Sequence, residues 1–282
     1  MQESFKNNKS TLYLVSTPIG NLDDMTIRAV DTLKKVDLIL AEDTRVSGIL
    51  LKHFNINNKL ESYHDHNRFE KIADVLKLLE EGKNIALISD AGTPGISDPG
   101  YELINGVIKA GFNVCSIPGA TASIAALTSS GLLMQPHLFV GFLPRKTNEI
   151  KAELNKYLKL KATLIFYESP FRVKNTLKVL YEVYGNREVV LARELTKMFE
   201  TITRTNLSDA QNLDINTKGE YVILVSGYEE SEVSLSIEEL YQKYFDEGYR
   251  EKVIFDKIAS DLKISKRDVY QKIKIEGKKD LL

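Results

Sequence analysis

The chain alternates short apolar runs with helix-like segments, and nearly every apolar run ends in a cluster of Gly, Pro or charged residues. In the stretch 84–100, the apolar run N-I-A-L-I is followed by S-D-A-G-T-P-G-I-S-D-P-G. A run of four to eight apolar residues bounded by turn residues is typical of a buried strand. Because these runs alternate with amphipathic segments, the pattern predicts an α/β fold with a largely parallel sheet and helices on both faces.

The same pattern places the secondary structure along the chain. Strands are predicted at 11–16, 36–41, 84–88, 112–117, 137–142, 162–167, 188–192 and 221–225, and helices at 25–33, 69–81, 101–110, 122–130, 151–161 and 173–184. Two α/β domains are expected, at 11–134 and 135–228, with a helical extension at 236–282 after an acidic linker. Strand ends rich in Gly, Pro or charge suggest one cleft between the two domains.

Composition limits the class of protein. A chain of 282 residues that is 43% hydrophobic and 27% charged can form two globular domains. The N-terminal ten residues are polar and no run is long enough to cross a bilayer, so we expect a cytoplasmic protein without a membrane partner. The single cysteine, Cys115, excludes an internal disulfide, and its apolar run predicts a buried strand residue. The net charge of −1 means that any RNA-binding surface must be local.

The loop after the strand at 84–88 has the composition of a ligand site. Its glycines permit positive φ angles and close approach of a ligand, while its two prolines stiffen the backbone. Asp90 and Asp98 bracket the loop, and a carboxylate just beyond a buried strand can accept hydrogen bonds from hydroxyl or amino groups. The alternative is a tight strand-to-helix connection without a ligand.

Several common sites are disfavoured by the motifs. No G-x-G-x-x-G follows the first strand and no P-loop is present, so dinucleotide and nucleoside-triphosphate sites are weak hypotheses. His64 and His66 flank Asp65, but no third ligand lies nearby in sequence, and a polar or substrate-facing loop is preferred to a metal site. No serine at a strand end lies in G-x-S-x-G, which argues against a serine hydrolase.

The extension at 236–282 has three short helical patterns that resemble a helix-turn-helix module. Its last part is basic: Lys263, Lys266, Arg267, Lys272, Lys274, Lys278 and Lys279 stand against Asp268 and Glu276. A positive face of this kind can bind RNA phosphates. A solvated bundle that caps the core or a dimer explains the pattern equally well.

Nine motifs, taken together and in order, point to a family. They are T-P-I-G-N-L at 17–22, A-E-D-T-R at 41–45, Y-H-D-H-N at 63–67, S-D-A-G-T-P-G-I-S-D-P-G at 89–100, P-G-A-T-A at 118–122, G-F-L-P-R at 141–145, Y-E-S-P-F-R at 167–172, R-E-L-T-K at 193–197 and G-E-Y-V at 219–222. With these motifs, residues 10–227 resemble the ribosomal RNA small subunit methyltransferase I group of the tetrapyrrole methylase superfamily. The tail resembles the C-terminal helix-turn-helix extension of that group.

The resemblance implies a homodimeric enzyme that uses S-adenosyl-L-methionine to methylate the 2′-hydroxyl of a cytidine ribose in the decoding region of 16S ribosomal RNA, within the small subunit. It implies the fold of two tetrapyrrole-methylase-type α/β domains with the cofactor cleft between them. It also implies a cofactor site formed by Ile19, Gly20, Asp90, Ala91, Gly92, Thr93, Thr121, Ala122, Tyr167 and Tyr221, with no metal.

The charged strand ends are then left for the RNA and for proton transfer. A ribose hydroxyl is a poor nucleophile near neutral pH, so methyl transfer needs alignment and a group that accepts the proton. Asp43, Glu168 and Glu194 are the candidate bases, with Asp43 preferred. The candidate phosphate-binding residues are Arg45, Arg145, Arg172, Arg193 and Lys197.

Two other classes stay open on the sequence alone. Diphthine synthase and the corrin-ring methylases have the same fold, so a small-molecule or protein methylase is the first alternative, although it has no need of the basic tail. A non-catalytic RNA-binding protein is the second.

Overall fold

Two five-stranded sheets account for the strands in the computed structural model, which describes residues 2–3, 6–7, 9–64, 68–230, 236–262 and 264–276. The strands are β1 (Thr11–Val15), β2 (Leu38–Ala41), β3 (Leu60–Ser62), β4 (Ile85–Ile88), β5 (Asn113–Ile117), β6 (His137–Phe142), β7 (Thr163–Glu168), β8 (Glu188–Arg193), β9 (Thr201–Asn206) and β10 (Tyr221–Val225). The helices are α1 (Ile27–Lys35), α2 (Thr44–His53), α3 (Arg68–Glu80), α4 (Tyr101–Lys109), α5 (Ala122–Ser130), α6 (Thr147–Asn155), α7 (Val173–Tyr184), α8 (Leu207–Ala210), α9 (Ile237–Asp246), α10 (Glu251–Asp261) and α11 (Lys266–Tyr270). A 3₁₀ turn (Leu22–Asp24) precedes α1, and a π-helical turn (Gln271–Glu276) follows α11.

The first sheet has the order β3-β2-β4-β1-β5 and is parallel throughout, as the alternating pattern predicts. Helices α1 and α2 pack against one face and α3 and α4 against the other. All four strand ends that carry Gly/Pro or charge clusters therefore meet at one edge of this sheet. Cys115 is buried in β5, which confirms its predicted place in a strand.

The second sheet corrects the expectation of a largely parallel arrangement. Its order is β6-β7-β10-β8-β9, and only the β6–β7 pair is parallel. The connection from β8 to β9 is too short for the crossover that parallel neighbours require, so these strands form an antiparallel hairpin. At one end of the sheet, Glu168, Arg193 and Tyr221 lie side by side in the strand register.

Helix α5 connects the two sheets. It follows β5 of the first sheet, but its apolar residues Ala126 and Leu127 are buried against β7, β8 and β10 of the second sheet. The opposite face of the second sheet is covered by α6, α7 and α8. The domain boundary at residue 134 stays a prediction. Helix α5 precedes this boundary in sequence but contributes to the core of the second sheet, which follows it.

Some elements begin at other residues than the periodicity indicates. Helix α2 occupies a segment for which no helix was predicted, and Asp43 caps it by accepting a hydrogen bond from the Arg45 backbone N–H. Helix α6 lies at Thr147–Asn155 rather than 151–161. Strand β9 was missed because it is a polar, half-exposed edge strand without an apolar run.

Residues Met1–Tyr228 and Glu229–Leu282 form two separate units. In the second, α9, α10 and α11 enclose a small core that contains Leu240, Ile254 and Val269. Capping boxes start α9 at Ser236 and α11 at Ser265, which explains why these short helices form where they do. No helix in the described ranges has the length and apolar character needed to span a bilayer.

The basic tail is partly neutralised within its own unit. Lys266 pairs with Asp256 at 2.5 Å, and Lys274 pairs with Glu251. Lys263, Lys278 and Lys279, which were counted toward the positive face, lie outside the described residues. Arg267 is exposed on α11. The predicted positive face is therefore smaller, among the described residues, than the count of basic residues indicates.

Candidate active site between the two sheets

A cavity of about 450 Å³ lies between the loops of the first sheet and the strands β7, β8 and β10 of the second. Most of the residues assigned to the cofactor from the sequence line it: Ile19, Asp90, Ala91, Gly92, Thr93, Thr121, Ala122, Tyr167 and Tyr221. Gly20 does not belong to the lining, because the Lys197 side chain packs over it; a Cβ at Gly20 would lie 2.5 Å from Lys197 Cγ. The volume is typical of a small-molecule site.

The loop after β4 is held against the loop after β1 by backbone hydrogen bonds. The N–H of Thr17 donates to the carbonyl of Gly92 at 2.9 Å, and the N–H of Gly92 donates back at 3.1 Å. Gly92 has a φ of +83°, which a side chain disfavours, and its absent Cβ leaves the cavity wall open to close approach. The hydroxyl of Thr17 also donates to the carbonyl of Ser89 at 3.1 Å. These bonds make the loop a fixed wall.

A chain of hydroxyl groups joins the three Gly/Pro loops. Ser16 Oγ and Thr93 Oγ1 lie 2.9 Å apart, and Thr93 Oγ1 lies 3.1 Å from Thr121 Oγ1. The three side chains follow β1, β4 and β5, whose carboxyl ends the parallel sheet brings to one edge. The structure thus brings together loops that are more than twenty residues apart in sequence.

Aromatic side chains form the opposite wall. The ring of Tyr167 packs edge to face against Phe139 and Phe142, with centroids 4.8 and 5.6 Å away. Its hydroxyl accepts a hydrogen bond from the Ser123 N–H at 3.1 Å, and burial raises its pKa. The Tyr221 hydroxyl donates to the carbonyl of Asn216 at 3.0 Å, and burial raises the pKa of this phenol also. Both phenols are therefore neutral and fixed in place.

Asp43, the preferred base, is not part of the cavity lining. Its carboxylate is bound by the Arg45 guanidinium at 2.6 and 3.0 Å, and these hydrogen bonds lower the pKa of Asp43 to about 2. A carboxylate that is so weakly basic accepts a proton poorly near neutral pH. The Asp43 N–H donates to Asp90 Oδ1 at 3.1 Å, so this segment also supports the loop after β4. The catalytic role of Asp43 stays a prediction that this geometry disfavours.

Glu168 lines the cavity, but both of its carboxylate oxygens are bound by groups of the protein. Its two oxygens accept hydrogen bonds from the Ser169 N–H at 2.9 Å and the Thr176 hydroxyl at 2.7 Å, and the Arg172 Nε lies 3.3 Å away. Arg172 in turn donates to the carbonyls of Leu143 and Pro144. Both residues, proposed from the sequence as base and phosphate ligand, thus hold together the loops at the end of the second sheet.

The third charged cluster lies beside the cavity. Lys197 Nζ binds Glu194 Oε1 at 2.8 Å, a hydrogen bond that lowers the pKa of Glu194. Glu194 has a φ of +52° and faces Gly219, where a Cβ would lie 2.5 Å from the carboxyl carbon. Arg193 donates to the carbonyl of Lys218 at 2.9 Å. Arg145 is exposed on the loop before α6.

Several wall residues are not among those assigned to the site from the sequence. Glu42 and Glu220 add carboxylates to the lining, and Ile96 and Phe142 add exposed apolar groups. Asp98, which brackets the loop in the sequence, also lines the cavity. Burial raises the pKa of Asp98, and the neighbouring charge of Asp90 adds to the effect.

The described ranges contain no group of three or more His, Cys, Asp or Glu side chains that could hold a metal ion. Of the proposed polar loop, Asp65 and His66 lie outside the described residues.

Comparison with known proteins agrees with this architecture. Residues 11–211 match the family of tetrapyrrole (corrin/porphyrin) methylases. The chain is 47% identical over 280 residues to a protein of Streptococcus pyogenes serotype M1 named ribosomal RNA small subunit methyltransferase I, covering 96% of this chain and 98% of that one. A protein of the same name from Bacillus subtilis (strain 168) is 43% identical over 276 residues, or 94% of each chain.

The fold also matches a crystal structure of diphthine synthase, with a TM-score of 0.60 at 14% identity over 77% of this chain and 90% of that chain. Such low identity shows a common fold and no more. The family match and the closely similar relatives together show that this chain is a methyltransferase that belongs to the tetrapyrrole methylase family and, within it, to the ribosomal RNA small subunit methyltransferase I group.

Proposed function

We propose that the protein transfers a methyl group from S-adenosyl-L-methionine to the ribose 2′-hydroxyl of a cytidine in the decoding region of 16S ribosomal RNA. The observation that carries the proposal is the cavity between the two sheets, which is lined by three Gly/Pro loops in a chain that matches small-subunit ribosomal RNA methyltransferases along nearly its whole length. A ribosomal RNA substrate would also place the enzyme in the cytoplasm.

The cavity suits S-adenosyl-L-methionine in size and in the chemistry of its walls. Asp90 is an exposed carboxylate at the wall, suited to the hydroxyl or amino groups of a nucleoside. Ile19, Ala122 and Val222 supply apolar surface for the adenine and for the methionine chain, and the backbone at Gly92 permits close approach. When bound, the cofactor supplies an electrophilic methyl group on a sulfonium, which needs no metal.

The RNA would approach from the exposed side of the cavity. Arg145 has an exposed side chain, and the Arg45 side chain is 88% exposed although it is paired with Asp43, so these two are the better phosphate ligands among the five basic residues assigned from the sequence. Arg172, Arg193 and Lys197 are bound to carbonyl or carboxylate groups of the protein and would shape the rim of the site. A homodimer acting on the small ribosomal subunit is part of the same proposal.

The proposed function is tested by incubating the purified protein with isotope-labelled S-adenosyl-L-methionine and 16S ribosomal RNA, free and assembled into subunits. We expect label in a cytidine ribose, located by mass spectrometry of nuclease fragments. Label in a base, or no transfer to either form of the RNA, would contradict the proposal.

We further expect the C-terminal unit to contribute to RNA binding. Removal of residues 236–282 should weaken RNA affinity and flatten its dependence on salt, because each lost phosphate contact lowers the number of released counterions. The measurement is RNA affinity at several salt concentrations. Affinity for S-adenosyl-L-methionine, which serves as the control, should change little because α9, α10 and α11 have a core of their own. If RNA affinity depended on salt in the same way without the unit, its role would be structural and not RNA binding.

A further inference from the structure

The cavity wall offers five carboxylates, whereas the transfer needs one that can accept a proton. Among the described residues these are Glu42, Asp90, Asp98, Glu168 and Glu220. A general base must reach the hydroxyl and must be appreciably basic near the working pH. The contacts of each carboxylate therefore decide which of them fits the role.

Three of the five are poorly suited. Glu168 is occupied by the Ser169 N–H, the Thr176 hydroxyl and Arg172, as described above. Glu220 has a side chain that is 78% exposed, and its carboxylate lies 3.4 Å from Lys197 Nζ, so it faces solvent and a cation of the protein. Asp90 is exposed and accepts the Asp43 N–H. A carboxylate whose oxygens already accept hydrogen bonds, bind a cation or face solvent is not held ready for the ribose hydroxyl.

Asp98 differs from these in its backbone and in its surroundings. The residue before it, Ser97, has a φ of +67°, which is unfavourable for a residue with a side chain. Ser97 Oγ would lie 3.3 Å from a Cβ at Gly141, so the turn packs against the bulge in β6, where Gly141 has a φ of +80°. Non-glycine residues in this region persist where surrounding contacts enforce them, and they cluster at functional sites. This turn places a half-buried carboxylate on the cavity wall.

We propose that Asp98 is the general base of the methyl transfer. The assignment rests on the proposed function. As the ribose O2′ forms its bond to the methyl carbon, the carbon–sulfur bond breaks and its electron pair stays on sulfur, which leaves a neutral thioether. The hydroxyl proton passes to the Asp98 carboxylate, and water regenerates the carboxylate after product leaves.

The electrostatic surroundings agree with this role. Burial and the neighbouring charge of Asp90 raise the pKa of Asp98, which makes it a stronger base than an exposed aspartate. Asp90 and the Tyr167 phenol are ionisable groups of the cavity wall whose charges affect it. The other ionisable groups of the cavity wall are Glu42, Glu168, Glu220 and Tyr221.

The test compares Asp98→Asn with wild type in single-turnover methylation of 16S RNA at saturating cofactor. We expect a rate loss of about a hundredfold or more with unchanged affinity for S-adenosyl-L-methionine by calorimetry. The wild-type rate should fall as the pH is lowered through the raised pKa of Asp98, since only the carboxylate accepts a proton. Asp98→Asn should lose this acidic limb, and Asp98→Glu should restore part of the rate and the limb.

Two control variants define the outcomes. Asp74→Asn, at an exposed carboxylate on α3, should leave the rate and the pH profile unchanged. Glu42→Gln tests the remaining wall carboxylate. If this variant, and not Asp98→Asn, lost methylation rate and the acidic limb of the pH profile, the assignment would be overturned. The assignment would also be overturned by a wild-type rate in Asp98→Asn, or by a loss confined to cofactor affinity. A wild-type enzyme that leaves 16S RNA unmethylated would overturn the proposed function itself.

Discussion

Replacement of Glu168 by alanine is expected to lower the free energy of unfolding by about 3 kcal/mol. The side chain is 1% exposed and accepts hydrogen bonds from Thr176 and the Ser169 backbone, beside the Arg172 guanidinium. Loss of one partner from a buried ion pair typically costs about 3–5 kcal/mol, because the other charge is left uncompensated. Arg172 is 30% exposed, so water partly solvates it and the lower end of that range applies. Urea denaturation measures the change.

The matched control is Glu182→Ala, which removes another ion-paired glutamate. Glu182 binds Lys151 at 2.8 Å, but both side chains are well exposed. Exposed pairs contribute only about 0–1 kcal/mol, so this variant should be nearly as stable as wild type. If Glu168→Ala retained its stability while losing single-turnover methylation, Glu168 would return to the role of catalytic base. Equal destabilisation by both variants would show that burial of Glu168 does not matter.

The sequence predicts the fold best where a strand is apolar and a helix is amphipathic. Ala122–Ser130, Val173–Tyr184 and Tyr221–Val225 are found at the residues that the pattern indicates. Strand β9 and helix α2 were missed for different reasons. Strand β9 is a polar edge strand, and α2 starts at a charged motif that was interpreted only as chemistry.

Long-range packing could not be obtained from local patterns. The small residues of α5 predict close packing on a sheet, but not that the sheet belongs to the second half of the chain. The same limit applies to the antiparallel placement of β10 between β7 and β8.

The site, like the fold, has parts that the sequence predicts and parts that it does not. The Gly/Pro loops were visible as motifs, and the parallel sheet brings them to one edge through the hydroxyl chain from Ser16 to Thr121. The roles of charged residues were harder to infer, because an ion pair within the protein and a ligand contact have the same composition. Asp43 and Arg45 illustrate this: they are adjacent to the cavity lining, yet they bind each other. Only the interatomic distances in the structure show which charged residues are paired within the protein.

Asp90 is the residue at which this distinction can be tested for the cofactor. Its carboxylate lies on the cavity wall, and Oδ1 accepts the Asp43 N–H. A hydrogen bond to a charged group contributes about 1.5–3 kcal/mol, so Asp90→Ala should weaken S-adenosyl-L-methionine binding by roughly tenfold to a hundredfold. Isothermal calorimetry measures this affinity, with Asp74→Ala as a control that should bind normally.

Asp90→Asn separates direct contact from support of the loop. The amide oxygen can still accept the Asp43 N–H, but the negative charge available to the cofactor is gone. If Asp90 binds a hydroxyl or amino group of the cofactor through its charge, the asparagine variant should lose most of the affinity that alanine loses. If instead Asp90 acts by holding the segment at Asp43 in place, asparagine should bind almost as well as wild type. Unchanged affinity in both variants would remove Asp90 from the cofactor site and leave the backbone of the loop at Gly92 as its principal contact.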